Sequence, residues 1–377
     1  MKRHFTILAL ALFSLIVEAQ DLSNFKEVPV EWGASNDAYR NSNSYQKDAI
    51  LFVNLLARTH PYYVNAGRRA VLESRLPALL NDCGSCDSDT AFVRLLREVM
   101  PEVQGRHTDI IDIESFTRKK QESSKPEEVT AESSSPLGNN GKLFGYQVLE
   151  NESICYLQFN NCNDARTLRD ESLPRFDLML DEMFSEMGQC GIGTLIVDLQ
   201  YNGGGSSRLC DELLDRLCPL SKIRNLDTYL RFSPLMALYN PRVETAMKAW
   251  EEAGHIDEMY PMPRKKVQAP EHEYYQGRVV FIQGPKTYSS AGILITTARD
   301  NAIGTVVGTG STYSPSHYGE VLPFRLPNTG VLGSVCTKYF ERADKSCAED
   351  KSLEPDVFLN LDDKEAAWSA LIEMYAK

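Results

Sequence analysis

The chain has 377 residues, of which 42% are hydrophobic and 24% charged, so it has the composition of a folded globular protein, and its length favours two domains over one. Its 52 acidic residues outnumber its 40 basic ones and give a formal net charge of −12. An acidic chain without a long basic run neutralises few phosphates, and the composition therefore argues against a nucleic-acid partner.

The first residues have the pattern of an export signal. Lys2 and Arg3 precede an apolar run at residues 5–17, which is too short to span a membrane as a helix. Val17-Glu18-Ala19 then supplies the small residues that a signal peptidase needs, and no Cys follows that would carry a lipid. We therefore expect a signal peptide at residues 1–19, cleavage after Ala19, and a secreted or periplasmic mature protein without a membrane span.

The cysteine content is consistent with an oxidising compartment but leaves the pairing open. The chain has nine Cys, so at least one thiol is unpaired or pairs with another molecule. Cys83 and Cys86 form a CxxC without a second CxxC and without the His spacing of a zinc site. A local disulfide that closes a turn is the preferred interpretation, with a metal or redox role as the alternative.

The first part of the mature chain has a helical pattern of apolar residues. Apolar residues between 50 and 56 lie along one helix, which ends at His60-Pro61 because proline cannot continue it. Two further amphipathic helices are predicted at residues 71–80 and 91–99, with a turn and cap between them. We assign residues 20–116 to a small N-terminal helical domain.

Residues 117–140 are rich in Ser, Glu, Lys and Pro and are predicted to form a flexible linker, since they bury too little apolar surface to offset their chain entropy. From residue 141 to 377 strands alternate with helices, which implies βαβ units and a layered α/β core. The predicted strands are 154–159, 194–199, 278–282 and 305–307, and the predicted helices are 176–187, 207–217 and one that starts near residue 290. Residues 221–275, rich in Tyr, Met and Pro, are interpreted as an insertion over this core.

Two motifs follow predicted strands. Gly203, Gly204 and Gly205 would let backbone N–H groups approach a ligand, but the Lys of a P-loop and the GxGxxG spacing are missing. An oxyanion hole and a plain turn remain, and the glycines alone favour the turn. Ser289 and Ser290 stand at the start of a helix, where they either cap it or face the positive end of its dipole. His107 alone does not indicate a catalytic function, because a lone His is usually structural or exposed.

Taken in order, these features resemble the tail-specific (C-terminal processing) protease family, which includes the tricorn protease core. The shared order is strand, glycine triplet and helix, then strand, Ser-Ser-Ala, helix and Val-Val-Gly. The match continues in Leu326-Pro327-Asn328-Thr329-Gly330 and Leu353-Glu354-Pro355-Asp356-Val357, and reaches back to His60-Pro61 and to Gly105-Arg106-His107-Thr108. The resemblance implies a crotonase-like or ClpP-like α/β core preceded by a small helical domain. It also implies serine-type hydrolysis of a protein or peptide substrate, without cofactor or metal.

The resemblance also implies the roles of individual residues. Ser290, which directly precedes Ala291, matches the nucleophile, and Ser289 is the fallback. The Lys of the family's Ser–Lys dyad is missing from residues 309–315. The tricorn-like pattern instead places His107 as general base and Glu349 as its support.

The N–H groups of Ala291 and of Gly203 or Gly204 would then form the oxyanion hole. His317 is a rival base. An imidazole base predicts an acid limb of activity between pH ~7 and ~6, around the ordinary pKa of His.

Three departures from the family bear on function. Gly292 stands where members often carry Glu, and Arg106 precedes His107 where small or acidic residues are commoner. The interval between His107 and the strand at 154–159 is also too short for the usual PDZ domain. A catalytically inactive relative that binds peptides or apolar ligands is therefore the alternative to a peptidase. A crotonase-type enzyme acting on thioesters is a third interpretation, which export away from coenzyme A disfavours.

Overall fold

The structure, a computed structural model, describes residues 22–100, 107–123, 135–264 and 272–376. The expected signal peptide at residues 1–19 lies outside the described residues, as do Gly105 and Arg106. Within the described part, every helix is too short or too polar to serve as a membrane span.

The described residues form two compact units, each assembled from three segments of the chain. Unit 1 takes its residues from Met1–Pro126, Thr228–Met262 and His317–Phe340, and unit 2 from Glu127–Asp227, Pro263–Ser316 and Glu341–Lys377. Both units contain helices and a sheet, which confirms the expected mixed α/β fold. The predicted division into 20–116 and 141–377 used contiguous segments, whereas each unit draws on distant ones.

The helices of unit 1 begin and end where local chemistry sets their limits. α1 (Ser44–Thr59) starts with a capping box between Asn43 and Gln46, and it ends before His60-Pro61 as predicted. The predicted helix 71–80 is wrong as a single element. It is split into α2 (Ala66–Ser74) and α3 (Leu76–Gly84), and Pro77 stands in the first turn of the second helix, where its missing N–H is tolerated.

The remaining elements of unit 1 surround one apolar core. They are α4 (Asp89–Val99), α5 (Ile113–Ser123), α9 (Pro234–Tyr239) and α10 (Arg242–Glu252), with strands β1 (Lys26–Glu27), β2 (Asp109–Ile111), β6 (Asp227–Leu230), β7 (Tyr260–Pro261), β10 (His317–Arg325) and β11 (Leu332–Glu341). The sheet order is β1-β10-β11-β6-β7, and β2 also pairs with β11. Leu235 and Met236, from the predicted insertion 221–275, are buried in this core beside Phe52 and Phe324.

Unit 2 is a sheet covered on both faces. Its strands are β3 (Phe144–Leu149), β4 (Ile154–Phe159), β5 (Thr194–Asp198), β8 (Arg278–Gln283), β9 (Thr305–Gly308) and β12 (Val357–Phe358). Their order is β12-β9-β8-β5-β4-β3, and all pairs are parallel except β3 with β4. Its helices are α6 (Ala165–Leu168), α7 (Phe176–Cys190), α8 (Ser207–Leu217), α11 (Ser290–Asp300) and α12 (Lys364–Tyr375).

Alternation along the strands explains the two faces of unit 2. In β5, Leu195 and Val197 enter one apolar cluster, whereas Ile196 enters the other. Successive side chains of a strand point to opposite faces, so a continuous apolar run indicates a sheet buried on both sides. The strands and helices predicted for this part of the chain agree with the structure to within three residues at their ends.

The predicted linker 117–140 is ordered at both of its described ends. α5 extends to Ser123, and Leu137 is buried in the apolar cluster of unit 2. The Ser135 hydroxyl donates to the carbonyl of Lys364 at 2.9 Å. Residues 124–134 lie outside the described residues.

The expected Cys83–Cys86 disulfide is not formed, since all nine cysteines are free thiols. Cys83 is buried at the end of α3, and the Cys86 thiol donates to the carbonyl of Ser88 at 3.5 Å. The turn between α3 and α4 is therefore closed by hydrogen bonds.

Candidate active site

The serine motif lies in unit 2, at the turn from β8 into α11. Ser290 is the first residue of α11, and Ser289 precedes it with φ 51° and ψ −124°. A positive φ is strained for a residue other than glycine, and strain of this kind concentrates at functional sites. Ser289 makes no side-chain hydrogen bond that caps the helix. The capping interpretation of the motif is therefore not supported.

The Ser290 hydroxyl is directed at the glycine triplet. Its Oγ donates to the carbonyl oxygen of Gly205 at 2.7 Å, and the residue is 6% exposed. In this geometry the hydroxyl proton is held by a backbone carbonyl. Deprotonation by a base requires rotation of the side chain away from Gly205.

The glycine triplet follows β5, the parallel neighbour of β8, so both motifs leave the carboxyl ends of adjacent strands. Gly204 has φ +102°, and a Cβ there would lie 2.6 Å from the Cβ of Ser289 and 3.0 Å from the backbone nitrogen of Ser290. Only glycine fits such an approach. The triplet is therefore more than a turn, because it packs its backbone against the serine motif.

Two of the three predicted oxyanion donors already have acceptors. The N–H of Gly204 donates to Oδ1 of Asn202 at 2.9 Å, and the N–H of Ala291 donates to the carbonyl of Tyr288 at 3.2 Å. Gly203 is exposed. Asn202 was missed by the sequence analysis, although an amide beside a glycine triplet is a recognisable source of local hydrogen bonds.

Gly292 has a steric explanation. A Cβ at this position would lie 2.5 Å from the ring of Tyr313, which is 1% exposed. The tyrosine thus occupies the space that the family's Glu side chain would need.

His107 lies in unit 1, in the turn before β2. Its carbonyl accepts a hydrogen bond from Ser334 Oγ at 2.8 Å, and the next residue, Thr108, accepts one from the N–H of Cys336 at 3.1 Å. Both partners belong to β11, so the strand fixes the backbone that carries the imidazole.

The His107 imidazole is buried and neutral. Burial lowers its pKa to about 4, opposed by a hydrogen bond to the backbone of Tyr318. The ring stacks on His317 at 5.7 Å between centroids, and His317 in turn stacks on Phe340 at 5.0 Å. Tyr318 had no signal in the sequence, because its backbone rather than its side chain is used. The loss of activity at acidic pH, predicted between pH ~7 and ~6 for an ordinary His, is therefore expected at lower pH.

Glu349 lies in unit 2 with an exposed side chain that forms no hydrogen bond or ion pair with the described residues. Its neighbour Asp350 pairs with Arg342 at 3.0 Å, and that guanidinium also binds the buried Asp300 at 2.7 Å. The structural ion pair of this segment therefore involves Asp350. Among the described His, Cys, Asp and Glu residues, no group of three or more could hold a metal ion.

Comparison with known proteins identifies a family. The model of peptidase family S41 matches residues 153–359, which include both motifs of unit 2. No curated protein sequence matches the chain.

Two solved structures cover most of the chain. A candidate peptidase from Parabacteroides merdae covers 87% of this chain and 95% of its own, at 15% identity and a TM-score of 0.55. A lipoprotein from Streptococcus agalactiae covers 88% of this chain and 97% of its own, at 13% identity and a TM-score of 0.51. At these identities the likeness extends to the fold alone.

Replacement of Gly204 tests the packing of the triplet. Gly204→Ala should lower the free energy of unfolding by about 2–4 kcal/mol, because a Cβ adds both backbone strain and overlap with Ser289. Gly203→Ala is the matched control, since nothing lies within 4 Å of its added Cβ. Urea unfolding of both variants measures the difference. Equal stability of the two variants would show that the triplet is not tightly packed.

Proposed function

Because the chain belongs to peptidase family S41, a family of serine peptidases, we propose that it hydrolyses peptide bonds with Ser290 as nucleophile and His107 as general base. The observation that carries the proposal is the placement of Ser290 at the strained start of α11, against a glycine triplet whose backbone is packed onto it. The substrate would be a protein or peptide, cleaved at internal bonds.

The proposed reaction uses groups of this chain alone. His107 accepts the Ser290 proton while Oγ attacks the carbonyl carbon of the scissile bond, and the imidazolium then protonates the leaving amine. The N–H of Gly203 would hold the oxyanion, joined by those of Gly204 and Ala291 once they exchange their present acceptors. Water then releases the acyl group by the same route.

His107 is favoured over His317 by its surroundings. The His317 ring stacks on both His107 and Phe340, and the residue is 1% exposed. The His107 ring donates to the Tyr318 backbone, which leaves its second nitrogen as the acceptor in the neutral imidazole. The backbone carbonyl thus does the orienting that a carboxylate does in many triads.

Glu349 is proposed to stabilise the imidazolium electrostatically. Its exposure predicts a small contribution, because a solvated charge is screened. Its role is therefore separate from the orientation of the ring.

A catalytically inactive peptide-binding protein is the second candidate. The hydrogen bond from Ser290 to Gly205 and the occupied N–H groups of Gly204 and Ala291 favour it. Covalent labelling by a fluorophosphonate separates the two candidates, because it requires an activated serine.

Labelling also tests the nucleophile. Ser290→Ala should abolish fluorophosphonate labelling and peptide hydrolysis with little change in melting temperature, whereas Ser289→Ala should retain part of the labelling. Intact mass measures the adduct in each variant. If the Ser289 variant alone loses labelling, the nucleophile has been misassigned.

The pH dependence tests the base. Labelling of the wild type should fall as pH drops through about 4, where His107 becomes charged and no longer accepts a proton. His107→Ala should lower the rate by about 10³-fold or more, by analogy with loss of a triad base, and remove the limb. Glu349→Gln should lower it by less than about tenfold and shift the limb to lower pH. An unchanged rate and limb in His107→Ala would contradict the assignment.

The pH series needs a folding control. Burial also lowers the pKa of His60, to about 3, so below about pH 6.5 the unfolded chain binds protons that the folded chain does not. The free energy of unfolding therefore decreases as the pH is lowered below about 6.5. Labelling rates are compared only at pH values where circular dichroism shows that the protein is still folded.

Export is the remaining part of the proposal and rests on the pattern at residues 1–19. The full chain expressed in a bacterium should yield an exported protein whose intact mass corresponds to a chain that starts at Gln20. A product that keeps Met1 and stays in the cytosol would contradict it.

A further inference from the structure

Two thiols lie in contact directly behind the candidate nucleophile. The Sγ atoms of Cys162 and Cys210 are 3.5 Å apart, although the residues are separated by 48 positions in sequence. Both are buried, at 0% and 3% exposure. Cys162 follows β4, and Cys210 lies in the first half of α8.

We propose that Cys162 and Cys210 form a dithiol–disulfide site, whose oxidised state ties the segment after β4 to α8. A disulfide bond is about 2.05 Å long, so the sulfur atoms need to approach by roughly 1.5 Å in total. In the reaction the two thiols lose two protons and two electrons. A small-molecule or protein disulfide takes them up and becomes two thiols.

Each thiol is coupled to a different side of the serine site. The N–H of Cys162 donates to the carbonyl of Gly204 at 3.0 Å, and its carbonyl accepts from the N–H of Ser206 at 2.8 Å. These two bonds flank Gly205, the residue whose carbonyl holds the Ser290 hydroxyl. Cys162 therefore supports the glycine triplet from behind.

Cys210 supports the nucleophile itself. Its thiol donates to the carbonyl of Ser290 at 3.4 Å. A bond between Cys210 and Cys162 would tie α8 to the segment that supports the glycine triplet. Because a disulfide sulfur carries no proton, oxidation would also remove the hydrogen bond from Cys210 to the Ser290 carbonyl. The disulfide restrains the backbone of the site and removes no group that the proposed reaction uses.

The environment determines when the bond forms. The contact with Cys162 and burial raise the pKa of Cys210 well above its usual range, so the folded protein contains little thiolate, the form that attacks disulfides. The bond therefore forms during folding, before the pair is enclosed. Once formed, it closes a long loop and restricts the unfolded chain, which stabilises the folded state.

The test compares oxidised and reduced protein. The variants Cys162→Ser and Cys210→Ser each remove one thiol of the pair and are called the broken pairs, and Cys190→Ser is the matched control. Each full-length mature chain is refolded from guanidinium in a glutathione redox buffer or in excess dithiothreitol. Free thiols are alkylated under denaturing conditions before digestion and mass spectrometry. The expected product after oxidative refolding is a peptide linked between Cys162 and Cys210, in the wild type and in the control.

Stability and exchange supply the second readout. Oxidation should raise the melting temperature of wild type and control by about 5 °C and slow hydrogen exchange at residues 203–206, with no such difference in the two broken pairs. Alkylation of both cysteines after oxidative refolding, or their linkage to other cysteines, would overturn the proposal. Since neither readout requires catalysis, the outcome is independent of the proposed peptidase activity.

Discussion

The contact between the glycine triplet and the serine motif constrains the rest of unit 2. Ser289 has a positive φ, which costs roughly 1–3 kcal/mol and persists only where the surroundings over-determine it. The surroundings do so here through the backbone. The N–H of Tyr288 donates to the carbonyl of Asn202 at 3.0 Å, and the Thr287 hydroxyl donates to the carbonyl of Leu199 at 2.9 Å. Each strand-to-helix turn thus holds the other in place.

This packing explains why small residues recur where the two turns meet. A Cβ at Gly204 would overlap Ser289, and one at Gly292 would overlap the buried ring of Tyr313. Ala291, which directly follows Ser290, is fully buried. The two turns therefore meet through small residues, with the Ser290 hydroxyl directed at the Gly205 carbonyl. The hydrogen bond from Ser290 to Gly205 and the occupied N–H donors around it describe a resting geometry, from which the proposed reaction requires an exchange of hydrogen bonds.

Sequence reasoning succeeded where the signal was local. The central strands β4, β5, β8 and β9 and the helices α7, α8 and α11 could be predicted, because each is a continuous apolar run or has an amphipathic period. The short or peripheral elements β3, β12, α6 and α12 were not predicted. The sheet of unit 1 could not, because β10 and β11 pair with β1, β2 and β6 from distant parts of the chain. Pro77 gave a signal that was not used, since a proline inside a helical pattern indicates a new helix start.

In the candidate site, too, local sequence signals were informative and contacts between distant segments were not. Ser290 and the glycines could be proposed from the order of motifs, because they stand in two short runs of consecutive residues. The Tyr318 backbone and Asn202 could not, since their part depends on where other segments place a carbonyl or an amide. Glu349 matched by spacing alone, and the structure shows Asp350 to be the carboxylate fixed by Arg342. Spacing locates a segment but does not determine which of two adjacent carboxylates forms an ion pair.

The burial of His107 has a consequence for how the proposed base works. A base with a pKa near 4 is neutral over the whole neutral pH range and ready to accept a proton, but it is a weak base. The imidazolium that it becomes in the transition state would be costly in a buried position without compensation. The hydrogen bond to the Tyr318 backbone offers part of that compensation and also fixes the ring. In the proposed mechanism the negative charge developing on the substrate oxygen supplies more, since it arises together with the imidazolium. Such a pair stabilises the transition state without stabilising the charged ground state, and differential stabilisation of this kind is what accelerates a reaction.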